Sequence, residues 1–380
     1  MRERLVSFEV RDPDPSVLVV TNLWPHEEDP AYGIFVKRQV DSLRKRGLRV
    51  DVLFARGYAS PAAYAAAALK LARLSRAGRP GYDLVHVHGG ETVLAAIAYR
   101  RAPIVASYLG DDLLGTRKAD GRFPLARRLR RAVLRCSAYT VARTITKSRE
   151  MEFALPERRR SRNDVIPSGV DARAFVPMPR AQARSVLGWD QNAKIVLFGG
   201  NPRFAGKRLW LAEAACAAAE RQVGAIQLET MSGIAPQDVP LVMNASDCLL
   251  LTSITEGSPN VVKEALMCNV PVISTPVGDV ADLLENVSPS WICAPSVDAL
   301  AGAIAKCVRL GTRSNGRSTS LHLNTGMIAG LILGVYRELG LGDRPLPSAR
   351  TASGTGDGGG RAEEPPMVVR AGWARRLGGS

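Results

Sequence analysis

The chain has 380 residues and a formal net charge of +15, while its hydrophobic share of 46% and charged share of 23% are ordinary for a globular protein. This length allows two domains with sizeable cores, and the positive charge indicates nucleic acid, an anionic membrane or an anionic substrate as a partner. The six cysteines have no C-x-x-C spacing, which argues against a disulfide framework and a zinc site and favours a reduced, cytoplasmic protein.

The apolar segments of the sequence are short. Residues 1–15 lack the apolar region of a signal peptide, and the longest apolar stretch near the end, residues 327–335, is too short to span a bilayer. We therefore expect a cytosolic protein, or one attached to a membrane surface.

Apolar runs that alternate with amphipathic segments predict an α/β fold from residue 16 onward. In the first part of the chain, strands are predicted at residues 16–21, 50–54, 83–88, 103–108 and 138–142, and helices at 33–47, at 61–77 and from 148. The alternation in the third strand places His86 and His88 on one face. Because no carboxylate or cysteine cluster accompanies them, structural or cleft-lining histidines are favoured over a metal site.

Two adjacent acids, Asp111 and Asp112, follow the fourth strand in the run L-G-D-D-L-L-G. They lie where a substrate group could meet them. Capping of the following turn is the alternative, and it has at least equal weight.

The densest basic run of the chain is residues 117–135. One face of a helix predicted there is apolar, and arginines cover much of the rest. The apolar residues are Leu125, Leu129, Ala132 and Val133, and the arginines are Arg127, Arg128, Arg130, Arg131 and Arg135. This pattern is typical of a helix on an anionic lipid surface. A solvated helix face and a nucleic-acid site are the alternatives, and the lack of interleaved aromatics or a nucleic-acid motif argues against the latter.

In the second part of the chain, strands are predicted at residues 194–198, 226–228, 248–251, 270–274 and 291–294, and helices at 181–187, 209–219, 239–245 and 297–309. A glycine-rich turn follows the first of these strands, beginning with Gly199 and Gly200. Such a turn between strand and helix allows close approach of the backbone to a phosphate. It is neither a Walker loop nor an ordered G-x-G-x-x-G.

Two acids separated by seven residues, Glu256 and Glu264, flank a predicted helix N-terminus. The turn between them and the first helical residues are Gly257, Ser258, Pro259, Asn260 and Val261. Glu256 falls at the carboxyl end of strand 248–251, and Glu264 lies about two helical turns further on roughly the same face. Free amides suit a phosphate and the acids suit hydroxyls, so the pattern indicates a ligand that carries both. Two solvated acids are the alternative.

The run E-G-S-P-N-V-V-K-E-A-L, followed by P-V-I-S-T-P-V-G-D-V, resembles the donor-site signature of retaining glycosyltransferases of the GT-B, family 4 type. It is similar to the bacterial branch that includes teichuronic-acid-type transferases. The resemblance covers roughly residues 16–340 and implies an α/β fold with two Rossmann-like domains facing across a cleft. Residues 1–180 would form the acceptor domain and residues 181–340 the nucleotide-sugar donor domain, with a terminal helix packing back towards the first. The tail, residues 341–380, has the composition of a disordered segment.

The resemblance implies roles for the residues of the donor domain. Glu256 would contact sugar hydroxyls and Glu264 the ribose of the nucleotide. A lysine and an arginine of the glycine-rich turn would clamp the diphosphate: Lys207 matches well, Arg203 is the candidate for the second cation, and Arg208 is its substitute. Further donor contacts would come from Gly199, Gly200, Gly257, Ser258, Pro259, Asn260 and Val261.

The resemblance also implies cleft residues in the acceptor domain. These are Gly33, for which a plain helix start is an equal alternative, and Gly110, Asp111, Asp112 and Ser168. Relatives commonly carry an active-site histidine where this chain has Leu109, so a catalytic histidine is not transferred.

The activity implied is hexosyl transfer from a nucleotide sugar to a lipid-linked or envelope glycan, with retention at the anomeric carbon. The resemblance implies no metal ion and no other cofactor, and a place on the inner, cytoplasmic face of the membrane. No nucleic-acid partner is expected, because the basic run has no interleaved aromatics and no nucleic-acid motif. A nucleotide-sugar epimerase of similar shape and an inactive membrane-associated scaffold are the alternatives, and Leu109 gives the scaffold some support.

Overall fold

The computed structural model describes residues 15–57, 60–77, 81–115 and 124–341, and there the chain forms two parallel β-sheets flanked by helices. This architecture confirms the predicted α/β fold with two Rossmann-like units. The predicted disordered tail, apart from Leu341, lies outside the described residues, as does part of the basic run, residues 117–123.

The first sheet has six parallel strands in the order β2-β1-β3-β4-β5-β6. The strands are β1 (Ser16–Thr21), β2 (Arg49–Phe54), β3 (Leu84–His88), β4 (Ile104–Ser107), β5 (Arg143–Thr146) and β6 (Asn163–Val165). The helices are α1 (Ile34–Arg44), α2 (Ala62–Arg76), α3 (Gly90–Ala96), α4 (Leu125–Ser137), α5 (Arg149–Ala154) and α6 (Glu157–Arg160). These elements are called the first half. Every residue of its central strands β1, β3 and β4 is buried, because helices cover both faces of the sheet.

The second sheet has five parallel strands in the order β11-β10-β9-β7-β8. The strands are β7 (Ile195–Phe198), β8 (Gln227–Thr230), β9 (Cys248–Leu251), β10 (Val272–Ser274) and β11 (Trp291–Ile292). The helices are α7 (Arg180–Leu187), α8 (Leu209–Val223), α9 (Val239–Ala245), α10 (Asn260–Met267), α11 (Val280–Leu284), α12 (Val297–Leu310) and α13 (Gly316–Ser320). These elements are called the second half. The predicted domain boundary falls at the start of α7.

The last helix, α14 (Thr325–Glu338), returns to the first half. It packs against α1, and Ile332 and Leu333 share a buried cluster with Val36 and Val40. The Tyr336 hydroxyl lies 2.6 Å from His86 Nδ1. The chain thus crosses between the halves twice, as the resemblance implies for a terminal helix.

The two histidines of β3 are structural. Their rings stack with centroids 4.4 Å apart, and both side chains are buried. His86 contacts Tyr336 and Ser107 through its two ring nitrogens, and burial lowers its pKa to about 3. The interpretation of the H-x-H pair as structural is therefore supported.

The strand predicted at residues 138–142 is wrong. Residues Ala138–Thr140 form a 3-10 turn that continues α4, and the strand begins at Arg143. The Ala138 amide donates hydrogen bonds to the carbonyls of Arg135 and Cys136 at the end of α4, and the Thr140 hydroxyl donates to the Ser137 carbonyl. These local bonds hold the apolar residues in a helical ending, and a short apolar run by itself does not distinguish that from a strand.

Candidate active site

A cavity of about 1370 Å³ lies between the two halves at the carboxyl ends of their strands. The first half lines it with Asn22, Leu23, Phe35, Gly57, Tyr64, Gly89, Glu91, Leu109, Gly110, Asp111, Asp112, Arg127 and Arg130. The second half lines it with Arg203, Phe204, Ala205, Gly206, Lys207, Ile254, Thr255, Glu256 and Gly257. Ligands of open α/β sheets bind at this edge, so the cavity is the candidate active site.

The wall of the second half contains a charged pair. Lys207 Nζ lies 2.5 Å from Glu256 Oε1, and the Ser253 hydroxyl donates to the same oxygen at 2.6 Å. The Lys207 side chain is 28% exposed and that of Glu256 is 13% exposed. The glycine-rich turn and the loop after β9 thus bring a cation and an anion, 49 residues apart in sequence, to one point of the cavity.

Backbone contacts hold these two loops together. Arg208 donates to the Thr252 carbonyl at 2.5 Å and to the Ser253 carbonyl at 2.8 Å, and the Thr252 hydroxyl donates to the Lys207 carbonyl at 2.7 Å. Burial lowers the pKa of Arg208. Arg208, the substitute candidate for the diphosphate clamp, therefore joins the glycine-rich turn to the loop after β9 through hydrogen bonds. Arg203 is exposed and lines the cavity.

The glycines that begin the turn allow close packing of protein atoms. A Cβ on Gly200 would lie 2.9 Å from Lys207 Cβ, and one on Gly199 would lie 3.2 Å from a Leu251 methyl. Both positions are buried against the ends of β7 and β9. Their small size lets Lys207 fold back over the sheet.

The backbones of the two halves lie close together at Gly257. A Cβ there would lie 2.9 Å from the Leu109 carbonyl oxygen and 2.9 Å from Met151 Sδ. Gly110, with φ of 145°, faces the Gly257 backbone from the first half. Both predicted glycines therefore form the narrow floor of the cleft, where only backbone fits.

The remaining residues of the predicted donor turn lie behind this floor. Ser258 donates to Asp279 Oδ2 at 2.6 Å, and Pro259 precedes the first helical residue of α10. Val261 packs against a buried apolar cluster of the second half that includes Leu249 and Leu266. The Asn260 Oδ1 atom is buried without a hydrogen-bond partner among the described residues.

Glu264 is not among the residues that line the cavity. Its Oε1 accepts from Arg38 Nη1 at 2.8 Å, and the side chains of Arg38 and Glu264 are 18% and 14% exposed. Burial raises the pKa of Glu264, while Arg38 and Lys263 oppose that shift. Arg38 belongs to α1 of the first half, 226 residues away, and no signal in the sequence links the two.

Two buried lysines that sequence reasoning missed stand behind the cleft. Lys263 Nζ donates to the Ser168 carbonyl at 2.9 Å and to the Ser258 hydroxyl at 3.0 Å. Lys147 Nζ donates to the Ile166 carbonyl at 3.3 Å. Burial lowers the pKa of Lys263 to about 8 and that of Lys147 to about 7. Ser168 thus contributes its backbone carbonyl to the contact between the halves. Lys263 is the lysine of the run N-V-V-K-E, so the sequence did contain a signal for it.

The two acids after β4 differ in their surroundings. Asp112 is 5% exposed, and its carboxylate accepts from the backbone amides of Leu109, Gly110, Leu113 and Gly90 at 3.0–3.1 Å. This set of bonds favours the capping alternative for Asp112. Asp111 is exposed on the cavity wall, where Leu109 also lies.

Gly33 is explained by the backbone around it. It has φ of 65°, and a Cβ would lie 2.3 Å from the carbonyl carbon of Leu23 and 2.5 Å from the amide of Trp24. The helix-start alternative accounts for this glycine without a ligand.

The described part of the chain contains neither a metal-ligand cluster nor a membrane span. No group of three or more His, Cys, Asp or Glu side chains there has an arrangement that could hold a metal ion. None of the helices described is long and apolar enough to cross a membrane.

Residues 12–174 match the family model Glycosyltransferase Family 4, and residues 178–309 match the model Glycosyl transferases group 1. The two matches follow the two halves of the fold. The chain is a family 4 glycosyltransferase with the GT-B fold. Its retaining stereochemistry and its likeness to the teichuronic-acid branch stay predictions.

Solved structures resemble this glycosyltransferase along most of their length. The sucrose-phosphate synthase of Thermosynechococcus elongatus aligns with a TM-score of 0.65 and 19% identity, over 86% of this chain and 99% of that one. Anabaena HepE in complex with UDP and glucose aligns with a TM-score of 0.64 and 17% identity, over 85% of this chain and 100% of that one. Such identities show the fold alone.

A relative by sequence is the D-inositol 3-phosphate glycosyltransferase of Mycobacterium marinum. It is 29% identical over an alignment of 182 residues that covers 41% of this chain. The matched part spans 39% of that relative's length.

Proposed function

We propose that this glycosyltransferase moves a hexose from a nucleotide sugar to a glycan acceptor with retention of anomeric configuration. The Lys207–Glu256 pair on the cavity wall carries the proposal. A donor diphosphate offers Lys207 a new anionic partner, and a sugar hydroxyl offers Glu256 a donor. Anabaena HepE, which has the same fold, was solved in complex with UDP and glucose, and this supports a nucleotide sugar as the donor here.

The proposed chemistry places positive charge where negative charge develops. As the bond to the anomeric carbon breaks, charge grows on the leaving diphosphate, and Lys207 stabilises it together with Arg203. The reaction then needs no metal ion and no other cofactor. Attack on the same face of the sugar, with the leaving phosphate taking the acceptor proton, gives retention without a side-chain base at Leu109.

The test is release of nucleoside diphosphate from a panel of nucleotide sugars, with and without a membrane lipid extract as acceptor source. We expect release that depends on the acceptor and a product with the donor's anomeric configuration by NMR. Glu256→Gln should lower turnover while thermal unfolding stays unchanged, and Glu213→Gln, an exposed acid on α8, is the matched control.

The alternatives give other outcomes. Epimerised donor without any acceptor would identify an epimerase. No turnover with any donor would favour the inactive scaffold, for which the apolar Leu109 in the cavity wall is the supporting observation.

We also propose that the protein lies on the inner, cytoplasmic face of the membrane through helix α4. Leu125, Leu129 and Val133 are 69%, 60% and 53% exposed, whereas Leu134 and Ser137 are the buried residues of this helix. A surface helix of a globular protein normally turns its apolar stripe to the core. Here the stripe faces away from the protein, with arginines beside it, which fits an anionic bilayer.

The same helix supports a lipid-linked acceptor. Arg127 and Arg130 of α4 line the cavity, and Arg130 pairs with Glu91 of α3. A docked α4 would therefore hold the cavity next to the bilayer, where a lipid-linked or envelope glycan is presented.

Vesicle co-sedimentation tests the membrane proposal. Binding should need anionic lipid, and it should fall steeply with salt because charges near the surface are screened over roughly 8 Å at physiological ionic strength. It should drop in Leu129→Ser and in the triple change of Arg127, Arg128 and Arg131 to Gln. Leu331→Ser, at a 54% exposed leucine of α14, is the control.

Binding to neutral vesicles as strong as to anionic ones would contradict the electrostatic part. Equal binding to duplex DNA would favour nucleic acid as the partner. An absence of vesicle binding at every salt concentration would leave α4 as a solvated helix.

A further inference from the structure

Arg38 reaches from the first half to an acid of the second half. It projects from α1, and its Nη1 donates to Glu264 Oε1 at 2.8 Å. Its guanidinium carbon lies 5.3 Å from the centroid of the Phe175 ring, which is fully buried. The planar head of Arg38 is thus fixed on one side by an aromatic face and on the other by a carboxylate.

The contact uses one of the two carboxylate oxygens of Glu264. Among the described residues, none donates a hydrogen bond to Oε2. The side chain keeps 14% of its surface exposed. A carboxylate has four lone-pair positions, so Glu264 retains acceptor capacity for a further donor.

We propose that Arg38 is a positioning residue of the donor site, which holds Glu264 ionised and oriented so that its free oxygen accepts from the ribose hydroxyls of the donor. The inference rests on the proposed function and on the ribose contact that the family resemblance implies for Glu264. The ribose subsite would then be built from both halves of the molecule, with Glu264 from the second half and Arg38 from the first.

The electrostatics of Glu264 explain why a cation is needed there. Burial disfavours the ionised carboxylate and raises its pKa, and Arg38 is the largest influence in the opposite direction. The other titratable groups that interact with it are Lys263 of the same helix and Cys268, which directly follows that helix. A neutral Glu264 would be a weaker partner for a hydroxyl, because bonds to charged groups are the stronger ones.

The chemistry of arginine matters at this position. A lysine could supply the charge but not the flat surface that stacks on Phe175. Arg38→Lys should therefore keep Glu264 ionised yet hold it less firmly, with an effect between those of wild type and Arg38→Met.

The experiment compares pairs of nucleotides by calorimetry. UDP, GDP and ADP are titrated into the full chain, and the tightest binder is compared with its 2′,3′-dideoxy form, which lacks both ribose hydroxyls. Glu264→Gln should weaken binding of the ribonucleotide by roughly 10- to 150-fold, the range for a hydrogen bond to a charged group, and abolish the preference over the dideoxy form. Arg38→Met should weaken it about tenfold and reduce the same preference.

The double variant shows whether Arg38 acts through Glu264. In the Glu264→Gln background, Arg38→Met should have little further effect, since two residues that serve one contact are not additive. Lys37→Met, which removes the neighbouring cation of α1 that pairs with Asp41, is the matched control and should bind like wild type. Arg38→Met should also lose its ribose preference at a higher pH than wild type as pH is lowered, because the pKa of Glu264 rises.

The outcomes separate the two levels of inference. A wild type that binds none of the nucleotides, or a Glu264→Gln variant that binds like wild type, would overturn the proposed donor site and this inference with it. If Glu264→Gln loses affinity as expected while Arg38→Met binds like wild type with the same pH profile, the role of Arg38 alone would be overturned. Tighter binding by Arg38→Met would also overturn it, and would show that Arg38 competes with ribose for Glu264.

Discussion

The two walls of the cavity are built on different plans. In the second half, a lysine and a glutamate meet on two loops that share at least three backbone contacts, so the charges are fixed before any ligand arrives. In the first half, the most buried acid, Asp112, accepts hydrogen bonds from backbone amides. The charged groups that remain on this wall include the exposed Asp111 and the Arg130–Glu91 pair, whose side chains are 49% and 22% exposed. The more buried of the two ion pairs, Lys207–Glu256, thus lies in the second wall, where a common donor group would bind.

The difference also concerns sequence. The second wall comes mainly from two short segments, residues 203–207 and 254–257, while the first wall collects residues from seven separate places between Asn22 and Arg130. A fixed chemical task suits a compact motif, whereas a surface for a variable acceptor can be assembled from distant loops.

The largest expected effect lies in the second wall. Lys207→Ala should lower kcat by about 10²–10³, the range for removal of one preorganised group that stabilises developing charge. The midpoint of thermal unfolding should change little, because Lys207 is partly exposed. Steady-state rates with the accepted nucleotide sugar provide the measurement. Full activity of Lys207→Ala would show that another cation binds the diphosphate, and it would contradict the proposed difference between the two walls.

A buried lysine lies behind each wall: Lys147 in the first half and Lys263 in the second half. Lys147 allows a test by the pH dependence of stability. Its pKa is about 7 when folded and 10.5 in an open chain, so the unfolded chain binds a proton in this window that the folded protein lacks. Stability should therefore rise as pH increases from 7 to 10, by at most about 1.4 kcal/mol per pH unit from this group.

Lys147→Met should flatten that rise, and Lys306→Met, at an exposed lysine of α12, should not. Urea unfolding at several pH values measures the difference. Parallel curves for wild type and Lys147→Met would show that Lys147 keeps its proton when folded.

Asp112 of the first wall should matter for folding and not for the donor. Asp112→Asn places an amide group among backbone donors and leaves at least one of them without an acceptor, at a cost of about 1–3 kcal/mol. Urea unfolding should report this loss while the affinity for nucleoside diphosphate stays constant. Unchanged stability together with weakened nucleotide binding would show that Asp112 contacts the ligand and does not serve mainly as a cap.

The smallest expected effect is at the exposed edge of the second wall. Arg203→Ala should lower kcat by about tenfold or less, because an exposed cation is screened by water and salt. Combined with Lys207→Ala, it should add less than the sum if both grip one diphosphate. Strict additivity of the two changes in the free energy of activation would show that they act on different groups.

Much of the second wall could be predicted from the sequence because its residues are close neighbours in the chain. The glycine-rich turn and the run from Glu256 to Glu264 each follow a strand, and period and turn chemistry place them at one sheet edge. The pairing of Lys207 with Glu256, and the inward turn of Arg208 to backbone carbonyls, depend on how two loops meet and have no local signal.

The first wall was less predictable. A glycine such as Gly33 has a local reason, positive φ beside the backbone of Leu23, that cannot be told from ligand approach by sequence. Asp111 and Asp112 are adjacent and identical in type, yet one is exposed and the other caps a turn. Only the fold around them decides between the two environments.

By itself, the sequence determined the α/β architecture and the amphipathic helix α4. It also determined the strands of both sheets except two: β5, which was misplaced at residues 138–142, and β6, which was not predicted. These follow from local periodicity, which each segment carries within itself. Tertiary structure alone decided that the apolar stripe of α4 faces outward, that Lys147 and Lys263 are buried, and that Arg38 meets Glu264 across 226 residues. Such contacts depend on the packing of whole elements, and periodicity does not encode which surfaces meet.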